Sequence, residues 1–182
     1  MEKDKLSLPV GTVLFPVPVV MVSCGEYGKE SNIITIAWTG TVNSEPPMIA
    51  VGVRPERHSY EMIRRTGEFV VNVPDIETVD ATELCGTVSG REGDKFSRAG
   101  LTAAKGLEVS TPIIRECPMN IECRVVQTVK LGSHDLFIGE VVAVQADSRI
   151  VGSDQKLDPS GIIPVAFVSG EYWTLGNKIE KE

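Results

Sequence analysis

The sequence predicts a mainly β protein: an antiparallel barrel, closed or nearly so, with short helices between its strands. Three observations lead there. Seven or so apolar, β-branched runs of strand length follow one another with room only for short helices between them. Residues 119–131 alternate apolar and polar side chains, then turn through Gly132–Asp135 into a second apolar run at 136–146, forming a long hairpin. The regular strand–helix alternation of a doubly wound sheet is absent, as is any G-x-G-x-x-G, so a dinucleotide-binding domain fits poorly.

Taken in order, the first strong segment is VLFPVPVVMVSC, residues 13–24, a strand with its prolines confined to the beginning. Gly25 and Gly28 mark a turn, and NIITIAW, residues 32–38, returns as the second strand. Residues 37–44 break into small polar side chains and read as a broken strand end that opens backbone N–H groups and hydroxyls to a ligand. PPMIAVGV, residues 46–53, is apolar on both faces and suits a strand covered on both sides. A short helix is expected over 59–67, with Ser59 as N-cap, Arg64 and Arg65 in the last turn and Gly67 beyond it. EFVVNV follows as a strand, and Asp75 is placed to cap a second helix running through Leu84 and Cys85 to Gly86. In the long strand Ile121, Cys123, Val125, Val129 and Leu131 alternate with Asn120, Glu122, Arg124, Thr128 and Lys130, and Gln127 breaks the apolar side once. VAFVS, residues 165–169, is the last expected strand.

The 182 residues suit a single domain over 1–182 with one substantial core, and 42% hydrophobic against 24% charged residues is ordinary for a globular protein. The net charge of −7, without a Lys/Arg block, argues against nucleic acid as a partner. Cys24, Cys85, Cys117 and Cys123 form no C-x-x-C pair, and His58 and His134 are the only histidines, so no metal site is expected. Reduced, packed thiols suit a cytoplasmic protein. The N-terminal MEKDKLSLPVG mixes acids and bases ahead of a proline-broken apolar stretch, which does not read as a secretory signal. No apolar run reaches the roughly 18–20 residues that span a bilayer, so no membrane association is expected.

Four places carry chemistry. Arg54, Arg57, His58 and Ser59 set cations and a hydroxyl at a helix start, an arrangement that holds a phosphate; a capped helix with solvated arginines reads from the same residues. Gly86, Gly90 and Gly93 allow a close backbone approach just ahead of Lys95, whose amine can pair with an anion or form a surface pair with Asp94. His134 sits at a hairpin tip, either as a polar turn residue or as a neutral imidazole that both donates and accepts. Trp38 ends the second strand where the small-residue stretch begins, as core, interface or cofactor contact. No Ser-His-Asp order, persuasive carboxylate pair or reactive-cysteine signature is present, so no catalytic side chain is assigned. A chain so poor in reactive groups points to a bound cofactor.

N-x-x-T-x-A-W at 32–38, the P-P at 46–47, RPERHSYEMI at 54–63, SGREGDKF at 89–96, GSHDLFIGEV at 132–141 and VAFVSGEYW at 165–173 together resemble the flavin reductase-like family that includes flavoredoxin. The resemblance runs over nearly the whole chain. It implies a split β-barrel that binds FMN and works as a homodimer, its flavins near an interface that aromatics such as Trp38, Tyr172 and Trp173 would help to form. Carried onto this sequence, the FMN contacts fall on Asn32, Trp38, Ser59, Lys95, His134 and Phe167, with Ser59 standing where a close relative would have threonine. Arg54, Arg57 and His58 neighbour the phosphate, and the 37–44 stretch lies along the ribityl chain and ring edge. The function implied is electron transfer from NADH or NADPH to flavin or another acceptor. A flavoredoxin-type carrier that works with redox protein partners is the alternative, and a ligand-binding barrel without redox use is a second.

Overall fold

The computed structural model describes residues 4–180. Met1–Lys3, the opening of the stretch read above for a signal, lie outside the described residues. The chain runs β1 (Val17–Pro18), β2 (Val20–Gly25), β3 (Ser31–Ile36), β4 (Thr39–Ser44), β5 (Pro47–Val53), α1 (His58–Thr66), β6 (Glu68–Val73), α2 (Val79–Thr87), α3 (Lys95–Arg98), β7 (Ala103–Ala104), β8 (Ile113–Ile114), β9 (Met119–Lys130), β10 (Asp135–Ala146), β11 (Val165–Val168) and β12 (Glu171–Thr174). Seven strands form one antiparallel sheet in the order β3-β2-β6-β9-β10-β5-β4, and β1-β11-β12 form a smaller one.

The two edge strands of the large sheet, β3 and β4, are consecutive in sequence and joined only by Ala37 and Trp38. In a flat sheet six strand spacings would part them by about 29 Å. Three peptide steps reach about 11 Å at most. The sheet therefore curls until its edges meet, which is the split barrel. The backbone N–H of Gly52 donates to Trp38 O across 2.8 Å at this seam. A Cβ on Gly52 would come within 3.2 Å of the Trp38 Cβ, a tight contact that glycine avoids where the connection passes.

The interior is filled by Val22, Val51, Val53, Met62, Ile63, Phe69, Cys123 and Phe137, with α1 closing one end. Gly139 makes room for the Phe69 ring: a Cβ there would sit 2.6 Å from its Cζ. Met21 and Ile33 face outward instead, under Cys85, Phe96, Leu101 and Ile114 of the α2–β8 region. This double cover explains why every residue of β2 is buried, the polar Ser23 included.

Several expectations need correction. The first strand begins at Val17, not residue 13; residues 4–16 form no regular structure. Residues 39–44 are the strand β4, paired with β5, and not a broken strand end. Their small polar side chains fit because β4 is an edge strand facing solvent. The cap of α1 is Arg57, whose side chain makes no capping bond, while Ser59 lies inside the first turn and is buried. Asp75 does cap, but a 3₁₀ turn at Ile76–Thr78 that leads into α2, and α2 passes through Gly86 to Thr87. The polar face of β9 is solvated only in its second half. Asn120 and Glu122 are buried because the 104–114 segment crosses over them.

Glu122 shows how that crossing is held. Its carboxylate accepts from the backbone N–H groups of Leu107, Glu108 and Val109 at 2.7–3.0 Å and from Gln145 Nε2 at 3.0 Å. Burial alone would raise its pKa, but the four donors outweigh it and hold the carboxyl below its ordinary 4.5. A group depressed in the folded state contributes stability that is complete above its unfolded pKa and lost as pH falls through the folded value. Glu122→Gln should cost about 2–3 kcal/mol, because the amide cannot accept from every donor. Urea denaturation at neutral pH checks the loss, and the gap between variant and parent should shrink as the pH is lowered below 4.5.

Candidate functional site

Two clefts adjoin along β3, sharing Ile34 and Arg57 in their walls. The inner one, about 90 Å³, gathers Asn32, Arg57, His58, Ser59, Arg91 and Lys95. The outer one, about 190 Å³, is bounded by Thr35, Ala37, Trp38, Gly52, Arg54 and His134. Five of the six residues proposed from sequence thus come to one furrow. Phe167 does not: it lies in β11 of the small sheet, with its ring edge against Tyr172 at 5.4 Å, and lines neither cleft.

The inner cleft gathers hydrogen-bond donors and positive charge. The first-turn N–H groups of α1 open beside it with no side-chain cap, and the guanidinium groups of Arg57 and Arg91 stand around it. Arg91 Nη1 donates to Glu56 O at 3.0 Å, which fixes the arginine on the approach to the helix. Asn32 Nδ2 donates to Ser59 Oγ at 2.8 Å, so the serine oxygen acts as acceptor toward the amide. Gly90 lies against the Asn32 amide, where a Cβ would fall 2.4 Å from Oδ1, so this glycine fixes the Asn32–Ser59 pair in place.

Lys95 differs from both sequence-based pictures. It is not a surface partner of Asp94, whose carboxylate caps α3 and takes the Ser97 hydroxyl. It is not a free arm either. Only 4% exposed, its amine donates to Ile33 O at 2.8 Å and Cys85 O at 2.7 Å, tying the open edge of β3 to α2. Two of its three donors are thereby committed, and no salt bridge joins it among the described residues. Burial pulls the amine below its ordinary pKa.

The outer cleft offers a backbone edge. Ile33 O points to the open side of β3, where Lys95 meets it, and by strand alternation the N–H and C=O of Thr35 face that same side. Trp38 is 44% exposed at one wall. At another, His134 is held through Nδ1 by Ser133 Oγ at 3.0 Å. Burial first, and the Arg54 charge second, keep the imidazole below its ordinary pKa, which favours the neutral ring.

A family model described as a flavin reductase like domain matches residues 12–175. The chain belongs to the flavin reductase-like family. The structure of flavoredoxin from Desulfovibrio vulgaris (Miyazaki F) superposes with a TM-score of 0.91 at 33% identity, covering 98% of this chain and 97% of that one. Flavoredoxin from Methanosarcina acetivorans follows at 0.90 and 31%, over 98% and 95%. An FMN-binding protein from Thermus thermophilus shares the fold at 0.80, with 20% identity over the full length of both chains.

Membership of the flavin reductase-like family agrees with the fold class and the resemblance read from the sequence. Sequence reasoning gave Arg91 no role, though SGREGDKF contains it. The available signal was its spacing, four residues before Lys95 on the same glycine-rich segment. Replacing Lys95 by methionine keeps the side-chain volume but leaves the carbonyls of Ile33 and Cys85 without their donor. Lys95→Met should lower stability by about 2 kcal/mol, read as a shifted guanidinium midpoint at unchanged slope.

Proposed function

We propose that this chain is an FMN-binding oxidoreductase that takes electrons from NADH or NADPH and delivers them to free flavin or another acceptor. One observation carries the reading: an anion cleft at an uncapped helix start opens directly into a cleft floored by a bare strand edge. The first suits a phosphate and the second a planar ring with polar edge atoms. Ser59, Arg57, Arg91 and the first-turn N–H groups of α1 would hold the phosphate, with Asn32 orienting the serine. Backbone groups near Thr35 and Ala37 would read the ring, with Trp38 and His134 beside it. Lys95 would supply positive charge behind the furrow, which offsets charge gained on reduction. FMN, when bound, supplies the two-electron chemistry; the chain binds, orients and shields it.

We place all of residues 1–182 in one domain that acts as a homodimer in the cytoplasm, where four unpaired, buried thiols stay reduced. The two flavoredoxin matches, both above 30% identity, favour a second reading in which reduced protein partners replace the nicotinamide nucleotide.

The purified protein should carry mainly FMN, since the inner cleft is compact enough for a single phosphate and the sequence carries no G-x-G-x-x-G fingerprint. Chromatography of the released flavin checks this; mainly FAD would contradict it. Anaerobic NADH or NADPH should bleach the flavin band, and bleaching only by a reduced redox protein would select the second reading. A colourless protein that takes up no FMN would leave the ligand-binding barrel. Arg57→Ala should weaken FMN binding about tenfold, the loss of one charge-assisted phosphate bond. Ser59→Ala should cost less because the helix N–H groups remain, and Lys178→Ala should be silent. Fluorescence quenching of FMN measures all three.

A further inference from the structure

Every residue from 4 to 16 is exposed. Among them Leu6, Leu8, Val10, Val13, Leu14 and Phe15 keep between 62% and 107% of their surface in water. Leu6, Leu8 and Val10 alternate with Ser7 and Pro9, so they fall on one side of an extended segment. A single chain gains nothing by holding six such side chains in solvent. An apolar groove of about 710 Å³ lies elsewhere on the surface, lined by Leu157, Ile162, Ile163, Pro164 and Leu175 with Asp158 and Lys178 beside them.

The small sheet fixes the relation between the two. β1 pairs antiparallel with β11, Val17 opposite Phe167 and Pro18 opposite Ala166, so the chain before Val17 leaves the sheet at the Val168–Gly170 end. The groove opens at the other end, beside Pro164 and Leu175. The arm is thus launched away from its own groove, and its 13 residues reach about 45 Å when extended.

We infer that residues 4–16 form an exchanged arm: in the homodimer each arm lies along the Leu157–Lys178 groove of a second copy of this chain. Two-fold exchange covers both arms and both grooves at once and leaves no open end to propagate. Buried aliphatic and aromatic side chains hide about 60–120 Å² apiece. Six per arm, the facing groove and two copies then give about 1,400–2,900 Å², enough for a stable interface. The inference rests on the homodimer proposed above, but not on FMN.

The test uses the full-length protein. Leu8→Asp/Val10→Asp adds charge only at exposed positions, so circular dichroism should stay native while sedimentation equilibrium at micromolar concentration falls from dimer to monomer. Cysteine pairs that join Leu8→Cys, Val10→Cys or Leu14→Cys to Leu175→Cys should give a disulfide-linked dimer on mild oxidation, with no background because all four natural cysteines are buried. A dimer that keeps its mass in the aspartate variant overturns the arm exchange, as does a disulfide closed within one chain. A monomeric parent overturns both the exchange and the homodimer. Flavin absorbance, recorded in the same runs, reports separately on the FMN reading.

Discussion

The whole architecture depends on a connection two residues long. Because Ala37 and Trp38 alone join the outermost strands of a seven-stranded sheet, the sheet cannot lie flat, and curling it creates both the interior and the seam. The seam is an incomplete closure: Gly52 bonds Trp38 O, while the outer edge of β3 farther back finds no strand partner. Both clefts run along that edge. A barrel bonded all the way round would have had a smoother core and no place for a ligand to meet backbone.

Closing a sheet this way buries polar groups, and the protein answers them with bonds to backbone and to one another. Asn72 is the fullest case: the two N–H groups of its Nδ2 are shared among Met21 O, Ser23 Oγ and Val70 O, while its Oδ1 accepts from Ile114 N and Asn120 Nδ2. Ser23 Oγ in turn donates to Pro112 O at 2.5 Å. Asn72, Glu122 and Lys95 each fasten part of the 85–114 stretch, weak in secondary structure, to a strand of the sheet it covers. No buried side-chain nitrogen or oxygen among the described residues lacks a partner.

The sequence made the strands legible wherever a strand meets apolar neighbours on one or both faces, as in β2, β5 and the β9–β10 hairpin. It hid β4, whose polar side chains suit an edge in water and give no periodic apolar signal. It misled at Asn120 and Glu122, since alternation marks side chains as polar but not as solvated; only the tertiary crossing of residues 104–114 decides that. At the site, the helix start and the glycine-rich segment were readable as neighbours of an anion. That Ser59 is a buried acceptor and not a cap, and that Lys95 turns two of its protons to carbonyls, follow from contacts across 27 and 62 residues of chain, beyond any local pattern.

The four cysteines have a bearing on handling as well as on structure. All are buried, and burial drives each thiol pKa upward, Cys24 to about 12 and Cys85 to about 11. At neutral pH almost none of either sulfur is thiolate, so alkylating reagents and peroxide have nothing to attack while the chain stays folded. Labelling can then proceed only through opening, and Cys24 in the barrel interior and Cys85 on α2 belong to different packed clusters. The protein therefore contains its own clock for opening, read separately inside the barrel and under its outer cover by the rate at which each sulfur gains mass.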